Sequence, residues 1–160
     1  MRRPVLLACA LSLVLAACGG GDVADAPTEQ AVEPSPSPAT LMVTTTALGD
    51  TVVDGQGRAV YVFDNDSGGT SSCTDECAAN WPPVTVQGAP VAGDGVDEAK
   101  LGTVERTDGA QQVTYGGRPV YHFAGDEGPG DVKGHGVGDK WWLVRPDGSA
   151  IPKADGVAAY

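Results

Sequence analysis

Short runs of β-branched and aromatic residues alternate along the chain with turns rich in Gly, Asp and Pro, a pattern typical of an all-β protein. No stretch keeps the helical period of apolar positions, except a short candidate helix at 72–80 in which Ser72 and Asp75 suit an N-terminal cap. The Gly-rich segment 125–139 is predicted to be a loop. The pattern predicts strands over 41–47, 51–53, 58–63, 103–106, 111–115, 118–123 and 141–145.

This pattern of strands and turns also occurs twice in the chain. When the chain is shifted by 60 positions without gaps, 13 residues within 41–88 match their counterparts in 101–148, whereas about 3 would match by chance. The matching residues of the first copy are Leu41, Gly49, Val53, Gly57, Arg58, Val60, Tyr61, Phe63, Asp66, Gly68, Trp81, Val84 and Gly88. The chain is therefore a tandem duplication, with repeats over 41–88 and 101–148.

Strand alternation predicts which side chains share a face. Tyr61 and Phe63 are two positions apart, as are Tyr121 and Phe123, so each pair points to one side of its strand. We predict an all-β fold: two tandem four-stranded antiparallel β repeats that form one compact domain over 41–151, with one short helix near the cysteine pair. The pattern leaves open whether the repeats form a sandwich or one continuous sheet.

The N-terminal residues carry an export signal. Arg2 and Arg3 precede an apolar run over 5–17 that is too short to span a bilayer, and this run ends in small residues before Cys18. The arrangement resembles a bacterial lipoprotein signal, which implies cleavage of 1–17 and lipidation of Cys18. A plain secretory signal with an incidental cysteine is the alternative.

Residues 18–40 are predicted to form a lipidated, disordered tether, because they are rich in Gly, Pro and Ser and have almost no large apolar residue. Residues 152–160 form a C-terminal tail. Cleavage before Cys18 changes the net charge from −11 to −13, since it removes two arginines and no acid. Such an acidic surface repels phosphate backbones, so we predict no nucleic-acid partner.

Two cysteines, Cys73 and Cys77, remain in the folded part. An exported domain with two cysteines usually pairs them, and we predict a structural disulfide that holds the short helix. A redox pair usually has the tighter C-x-x-C spacing, and a zinc site needs four ligands. A redox or metal role nevertheless stays open as the alternative.

The repeated motif is Tyr61-x-Phe63-x-x-Asp66 and Tyr121-x-Phe123-x-x-Asp126. Together with the segments 77–83 and 141–144, it resembles the bacterial predicted lipoprotein family with a Yx(F/W/Y)xxD motif, the secreted repeat of unknown function. The resemblance covers both repeats and implies a surface-attached lipoprotein with tandem β-rich repeats. The second repeat departs from the first, because Lys133 and Val137 stand where the first repeat has its cysteines. The resemblance implies no defined activity.

The repeated aspartates, Asp66 and Asp126, are predicted to be structural, because an Asp just past a strand can accept backbone N–H bonds and hold a turn. A catalytic carboxylate pair is the sharper alternative. His135, with Asp131 and Asp139 nearby in sequence, is a weaker candidate for a metal site.

These observations favour a lipid-anchored envelope protein on the extracytoplasmic side of the cell membrane, with a non-catalytic binding or interaction module and no enzymatic activity. The expected partners are the membrane, through the lipid on Cys18, and an unknown envelope protein or small ligand. Candidate binding residues are those at which the repeats differ: Trp142, His122 and His135. We expect no cofactor, and a bound metal or haem is left open. An extracytoplasmic redox or metal-handling accessory protein is the alternative function.

Overall fold

A computed structural model describes residues 38–152. The predicted signal peptide, Cys18, most of the tether and nearly all of the C-terminal tail lie outside the described residues. Among residues 38–152, no helix is long and apolar enough to cross a membrane.

Strands make up most of the regular secondary structure of the described residues, and a single short α-helix lies beside the cysteine pair. The elements are β1 (Thr40–Thr46), β2 (Gly49–Asp54), β3 (Tyr61–Phe63), α1 (Glu76–Asn80), β4 (Val91–Ala92), β5 (Leu101–Glu105), β6 (Gln111–Tyr115), β7 (Arg118–Pro119) and β8 (Trp141–Leu143), with 3₁₀ turns at Glu98–Lys100 and Val137–Asp139. The predicted all-β class and the helix near the cysteines are confirmed.

The strands form small sheets of which one joins the two repeats. In the first repeat, β1 pairs antiparallel with β2 and, on its other edge, parallel with β4, which belongs to the segment between the repeats; in the second repeat, β6 lies between β5 and β7. The third sheet pairs β3 of the first repeat with β8 of the second, and Tyr61 lies opposite Leu143. The repeats are therefore interleaved rather than placed side by side.

Equivalent turns explain several of the identities between the repeats. Gly57 and Gly117 both have positive φ angles, +82° and +77°, and each lies in the turn before the motif strand. Gly49 and Gly109, also equivalent, have φ angles of +99° and +83°. Because side chains other than glycine rarely adopt this region, the duplication had to keep these residues for the chain to turn.

The core is divided between the two faces of the motif strands, as strand alternation predicts. One cluster is mainly valine and includes Val60, Val62 and Val120. The other contains the buried tryptophans, Trp81 and Trp141, together with Tyr61 and Tyr121, which are both fully buried.

Some element boundaries differ from the predicted ones. The predicted strand 118–123 is a regular strand only over Arg118–Pro119, and β4 had no signal in the sequence. The helix begins at Glu76 rather than near residue 72. Asp75 occupies the cap position with a φ of 51° but makes no side-chain cap bond, and Ser72 instead binds Asp66. The loop's attachment to Asp66 thus replaces the expected first turn of helix.

Candidate functional site

The two motif strands meet at their tyrosines. The backbone N–H of Tyr61 donates to the carbonyl of Tyr121 (2.8 Å), and the N–H of Tyr121 donates back to the carbonyl of Tyr61 (2.9 Å). This reciprocal pair places equivalent residues opposite each other, so the repeats are related by an approximate two-fold axis here.

Each phenol is bound by the aspartate of the opposite repeat. Tyr61 Oη donates to Asp126 Oδ2 at 2.7 Å, and Tyr121 Oη donates to Asp66 Oδ2 at 2.6 Å. Burial, together with the acceptor carboxylate, raises the pKa of Tyr61 and of Tyr121 far above the ordinary value. Both phenols therefore stay protonated and act as donors.

The other oxygen of each aspartate holds the loop that follows its own motif. Asp66 Oδ1 accepts from the N–H and the hydroxyl of Ser72, both at 2.7 Å, and Asp126 Oδ1 accepts from the N–H of Lys133 at 2.9 Å. Both aspartates thus link a loop of their own repeat to a tyrosine of the other. The turn-holding half of this arrangement follows the sequence prediction, whereas the cross-repeat half was missed.

Four aromatic rings stack across the two-fold axis. Trp81 and Trp141, equivalent in the two repeats, lie parallel with ring centroids 3.9 Å apart. Phe63 stacks on Trp141 (4.1 Å), and Phe123 packs on Trp81 (4.4 Å). The motif tyrosines contact the tryptophans edge-on, Tyr61 with Trp81 and Tyr121 with Trp141. These aromatics belong mostly to the core, since each of these two tryptophans is only 5% exposed.

Gly134 shows how tightly the second-repeat loop closes on these rings. A Cβ at this position would lie 2.8 Å from the ring of Tyr61 and 2.9 Å from that of Trp81. Its N–H donates to Tyr61 Oη at 3.3 Å. The loop backbone thus packs directly on the aromatic cluster, which only glycine permits.

Cys73 and Cys77 form the predicted disulfide. Cys73 is fully buried. Its carbonyl accepts from Arg106 Nη2 at 2.8 Å, and Arg106 Nη1 also binds Gln112 Oε1 at 2.8 Å and the hydroxyl of Ser71. Ser71 in turn bonds the phenol of Tyr121 at 2.8 Å. The buried Arg106 therefore connects the disulfide loop to the second repeat, a role that the sequence pattern does not indicate.

His122 belongs to a polar cluster with Asp54 and Arg58. Because the carbonyl of Ala59 can only accept, Nδ1 of His122, 3.2 Å away, must carry the ring proton. Nε2 then accepts from Arg58 Nη2 at 3.2 Å, while Arg58 is paired with Asp54 at 2.9 Å. Burial, and secondarily the charge of Arg58, lower the pKa of His122. This cluster lines an open groove of about 550 Å³.

Trp142 and His135 meet in a different place, with their ring centroids 5.5 Å apart in an edge-to-face contact. The indole N–H of Trp142 donates to Asp64 Oδ2 at 2.6 Å, and Arg118 Nη2 binds Asp64 Oδ1 at 3.1 Å. We call Trp142, His135, Asp64 and Arg118 the Trp142 patch. Trp142 is partly buried, and its neighbour Trp141 is buried.

The three candidate binding residues therefore do not form one surface. His135 and Trp142 come together, whereas the polar contacts of the His122 side chain are with Ala59, Arg58 and Asp54. Asp64 and Arg118 complete the Trp142 patch. Of these two residues, only Asp64 could have been found by comparison of the repeats, since the second repeat has Ala124 at that position.

The metal-site hypothesis for His135 gains nothing from the geometry. Its Nδ1 accepts from the N–H of Leu143 (3.3 Å), and Asp131 is bound to the N–H of Glu127 and to Lys133. Within residues 38–152, no three His, Cys, Asp or Glu side chains are grouped so that they could hold a metal ion.

Comparison with known proteins identifies one family. Residues 42–85 and 102–145 match the family model described as "Secreted repeat of unknown function", one match for each repeat. No curated protein and no solved structure matches the chain. The family points to an extracellular or envelope location and assigns no activity. The two matches fall on the units whose tyrosines and aspartates are exchanged across the two-fold axis, and the chain belongs to this family of secreted repeats.

Proposed function

We propose that the chain is a lipid-anchored envelope protein whose two-repeat domain is a non-catalytic binding module, and that the Trp142 patch contacts its partner. One observation carries the proposal: Trp142 is a partly exposed tryptophan held in a single orientation by a hydrogen bond to Asp64. Tryptophan and arginine are enriched among the residues that dominate binding energy at interfaces. A side chain that is already ordered loses little entropy on binding.

The position of the patch within the duplication also supports a binding role. Trp142 stands where the first repeat has Pro82, and His135 stands where it has Asp75. Asp64 likewise has Ala124 as its counterpart, and of the patch residues Arg118 alone is shared, where it binds Asp64. The shared residues of the repeats are largely used to build the core and turns, so recognition of a partner is better assigned to Trp142, His135 and Asp64.

A non-catalytic role is supported by the partners of the groups that a catalyst would need. The two repeated carboxylates, Asp66 and Asp126, are each engaged by a phenol and by a loop of their own repeat. Ser71, the serine beside the disulfide, bonds Tyr121 and Arg106 rather than a histidine that could activate it.

Binding at the patch can be tested with the unlipidated chain from residue 19 to residue 160, labelled with ¹⁵N. The probes are solubilised envelope proteins, soluble cell-wall fragments and lipid vesicles, each added separately. We expect one of these fractions to shift the indole N–H resonance of Trp142 and to leave those of the buried Trp81 and Trp141 nearly unchanged. Trp142→Ala should abolish retention of that fraction on the immobilised chain.

Val91→Ala is the matched control, because Val91 is an exposed large apolar residue (42%) and belongs to β4, outside the patch. This variant should bind as the wild type does. If Trp142→Ala keeps all the binding, the patch is not the recognition surface. If no fraction binds the wild type, the binding function itself is wrong.

Lipid anchoring is a separate part of the proposal and rests on Cys18 after the short apolar run. In a bacterial host, Cys18→Ala should abolish incorporation of labelled palmitate and release the protein from the membrane fraction. Cys9→Ala is the control, since Cys9 lies inside the predicted signal, and it should change neither result. Unchanged labelling of Cys18→Ala would overturn the anchor.

A further inference from the structure

The C-terminal segment of each repeat completes the other repeat. β8 of the second repeat pairs with β3 of the first, and the N–H of Val52 in β2 donates to the carbonyl of Val144 at 2.8 Å. The equivalent segment of the first repeat, 82–85, does the same in reverse. The carbonyl of Pro82 accepts from His122 (2.8 Å), and the carbonyl of Val84 accepts from Val113 (2.8 Å).

Side chains follow the same exchange. Each motif tyrosine donates to the carboxylate of the opposite repeat, and Trp81 stacks on Trp141. A repeat without its counterpart would therefore have a buried phenol and a carboxylate without their partners, an open strand edge and an uncovered indole face. Such losses are costly, since an unsatisfied buried polar group and exposed aromatic area both destabilise a fold.

Within residues 38–152, the polypeptide backbone is the only covalent link between the two repeats. The disulfide Cys73–Cys77 lies inside the first repeat. The connecting segment pairs with the edge of β1: the N–H of Val91 donates to Ala39, and that of Gly93 donates to Leu41. Association of the repeats thus depends on non-covalent contacts that two separate polypeptides could make equally well.

We propose that the repeat is a self-recognition module: each repeat binds a second repeat of the same family by exchange of C-terminal extended segments and of Tyr–Asp pairs, and a second copy of this chain can supply the partner. In each repeat, this surface is formed by the motif strand, by the stacked tryptophan (Trp81 or Trp141) and by the extended segment that follows that tryptophan. Exchange of an identical element between copies is a low-cost route to an assembly, because each contact already exists in the monomer. Strand donation of this kind supplies affinity through main-chain bonds.

The test uses the unlipidated chain from residue 19 to residue 160 with a protease site inserted after Gly88. This glycine has a φ of +97°, and its Cβ position is open to solvent. The folded protein is cleaved and analysed by size-exclusion chromatography and native mass spectrometry. We expect the halves to elute together at micromolar concentration as a 1:1 complex. Elution as two separate species would overturn the proposal.

Recognition between copies is measured by mixing cleaved ¹⁵N-labelled protein with cleaved unlabelled protein, unfolding both in urea and refolding them together. When equal amounts of the two proteins are mixed, we expect four complexes in equal amounts, one with both halves labelled, two with one labelled half and one with none, because a half should accept its counterpart from either copy. Return of the halves to separate, unassembled species would contradict the module.

Specificity for the Tyr–Asp exchange is tested by a double-mutant cycle across the cut. Tyr61→Phe and Asp126→Ala should each raise the dissociation constant of the halves by about tenfold or more, and together by no more than the larger single effect. The control pair is Tyr61→Phe with Asp147→Ala, because Asp147 binds Ser149 of its own half. These two effects should multiply. Independent effects in both pairs would show that the exchange is not what the halves recognise.

Discussion

The phenol of Tyr61 donates a 2.7 Å hydrogen bond to the carboxylate of Asp126, a residue of the other repeat. The reverse bond, from Tyr121 to Asp66, measures 2.6 Å. The Yx(F/W/Y)xxD motif therefore acts between the repeats as well as within each one. The tyrosine of each repeat binds the aspartate of the other, which explains why both residues occur in both copies.

Alkaline pH should destabilise the protein through these two phenols. Their pKa values are raised, chiefly by burial, so the folded protein keeps both protons above the ordinary tyrosine pKa of about 10, where the unfolded chain loses them. The unfolded state then binds fewer protons, and the free energy of unfolding falls as pH rises. Urea denaturation at a series of pH values above about 9 should show this loss.

The Tyr61→Phe/Tyr121→Phe double variant is the control for this effect. Lys100 and Lys133 also have raised pKa values, because of Asp97 and Asp131, so part of the alkaline slope will persist. We expect the double variant to be less stable at neutral pH, by about 1–3 kcal/mol per lost bond, but to have a shallower alkaline slope. A slope equal to that of the wild type would mean that these phenols ionise normally in the fold.

Truncation of the stacked tryptophans should cost more than any surface change. Trp81→Ala or Trp141→Ala removes a buried ring and should lower the free energy of unfolding by about 3–5 kcal/mol. Because the two rings are in direct contact, the double variant should cost less than the sum of the single ones. Val91→Ala, which removes exposed area, should change stability by less than about 0.5 kcal/mol. Additive tryptophan effects would contradict the stacked geometry.

The local part of this architecture, its strand faces and turns, could be predicted from the sequence. Alternation placed Tyr61 and Phe63 on one face correctly, and the turn glycines marked the hairpins. It could not give the exchange between repeats, since period and propensity describe neighbours along the chain and say nothing about which copy accepts a strand. The two residues of β4 were missed for a related reason: they are strand only because β1 offers them a free edge.

The candidate site was predictable to a similar extent. The differences between the repeats led to Trp142 and His135, which do adjoin. His122 was grouped with them because it also differs between the repeats, but its side chain belongs to the cluster with Asp54 and Arg58. A difference between repeats identifies residues that are free of the shared structural role, and only the fold determines which of them share a surface.

The disulfide should contribute modestly to stability. The loop that it closes is very short, and loop-closure entropy for such a loop corresponds to about 2 kcal/mol. The second repeat holds its equivalent loop with Lys133 and Val137 in place of the cysteines. We therefore expect the reduced protein and a Cys73→Ser/Cys77→Ser variant to stay folded in buffer. Both should unfold at a lower urea concentration than the oxidised wild type. The variant should not respond to reductant, and unfolding of either protein in buffer would show a larger role.

Mild acid should also destabilise the fold, through His122. Its pKa is lowered by burial and by Arg58, so between pH 7 and 5 the unfolded chain takes up a proton that the folded protein resists. The free energy of unfolding then falls as pH falls through this window. His135 contributes with the same sign, because burial lowers its pKa too. Urea midpoints of His122→Asn and His135→Asn should each depend less on pH than those of the wild type, and a midpoint that rises on acidification would contradict both assignments.

Trp142 should be the most accessible of the three tryptophans to a neutral quencher. Trp81 and Trp141 are each 5% exposed, whereas Trp142 is partly buried at the surface and tied to Asp64. Acrylamide should therefore quench one component of the fluorescence, and Trp142→Phe should remove that component. Asp64→Ala should increase quenching, because the indole loses its 2.6 Å anchor. Trp81→Phe is the control and should leave the quenched component in place. If Trp142→Phe leaves the quenching unchanged, the accessible indole lies elsewhere, and the Trp142 patch loses the ordered, partly exposed side chain on which its proposed role depends.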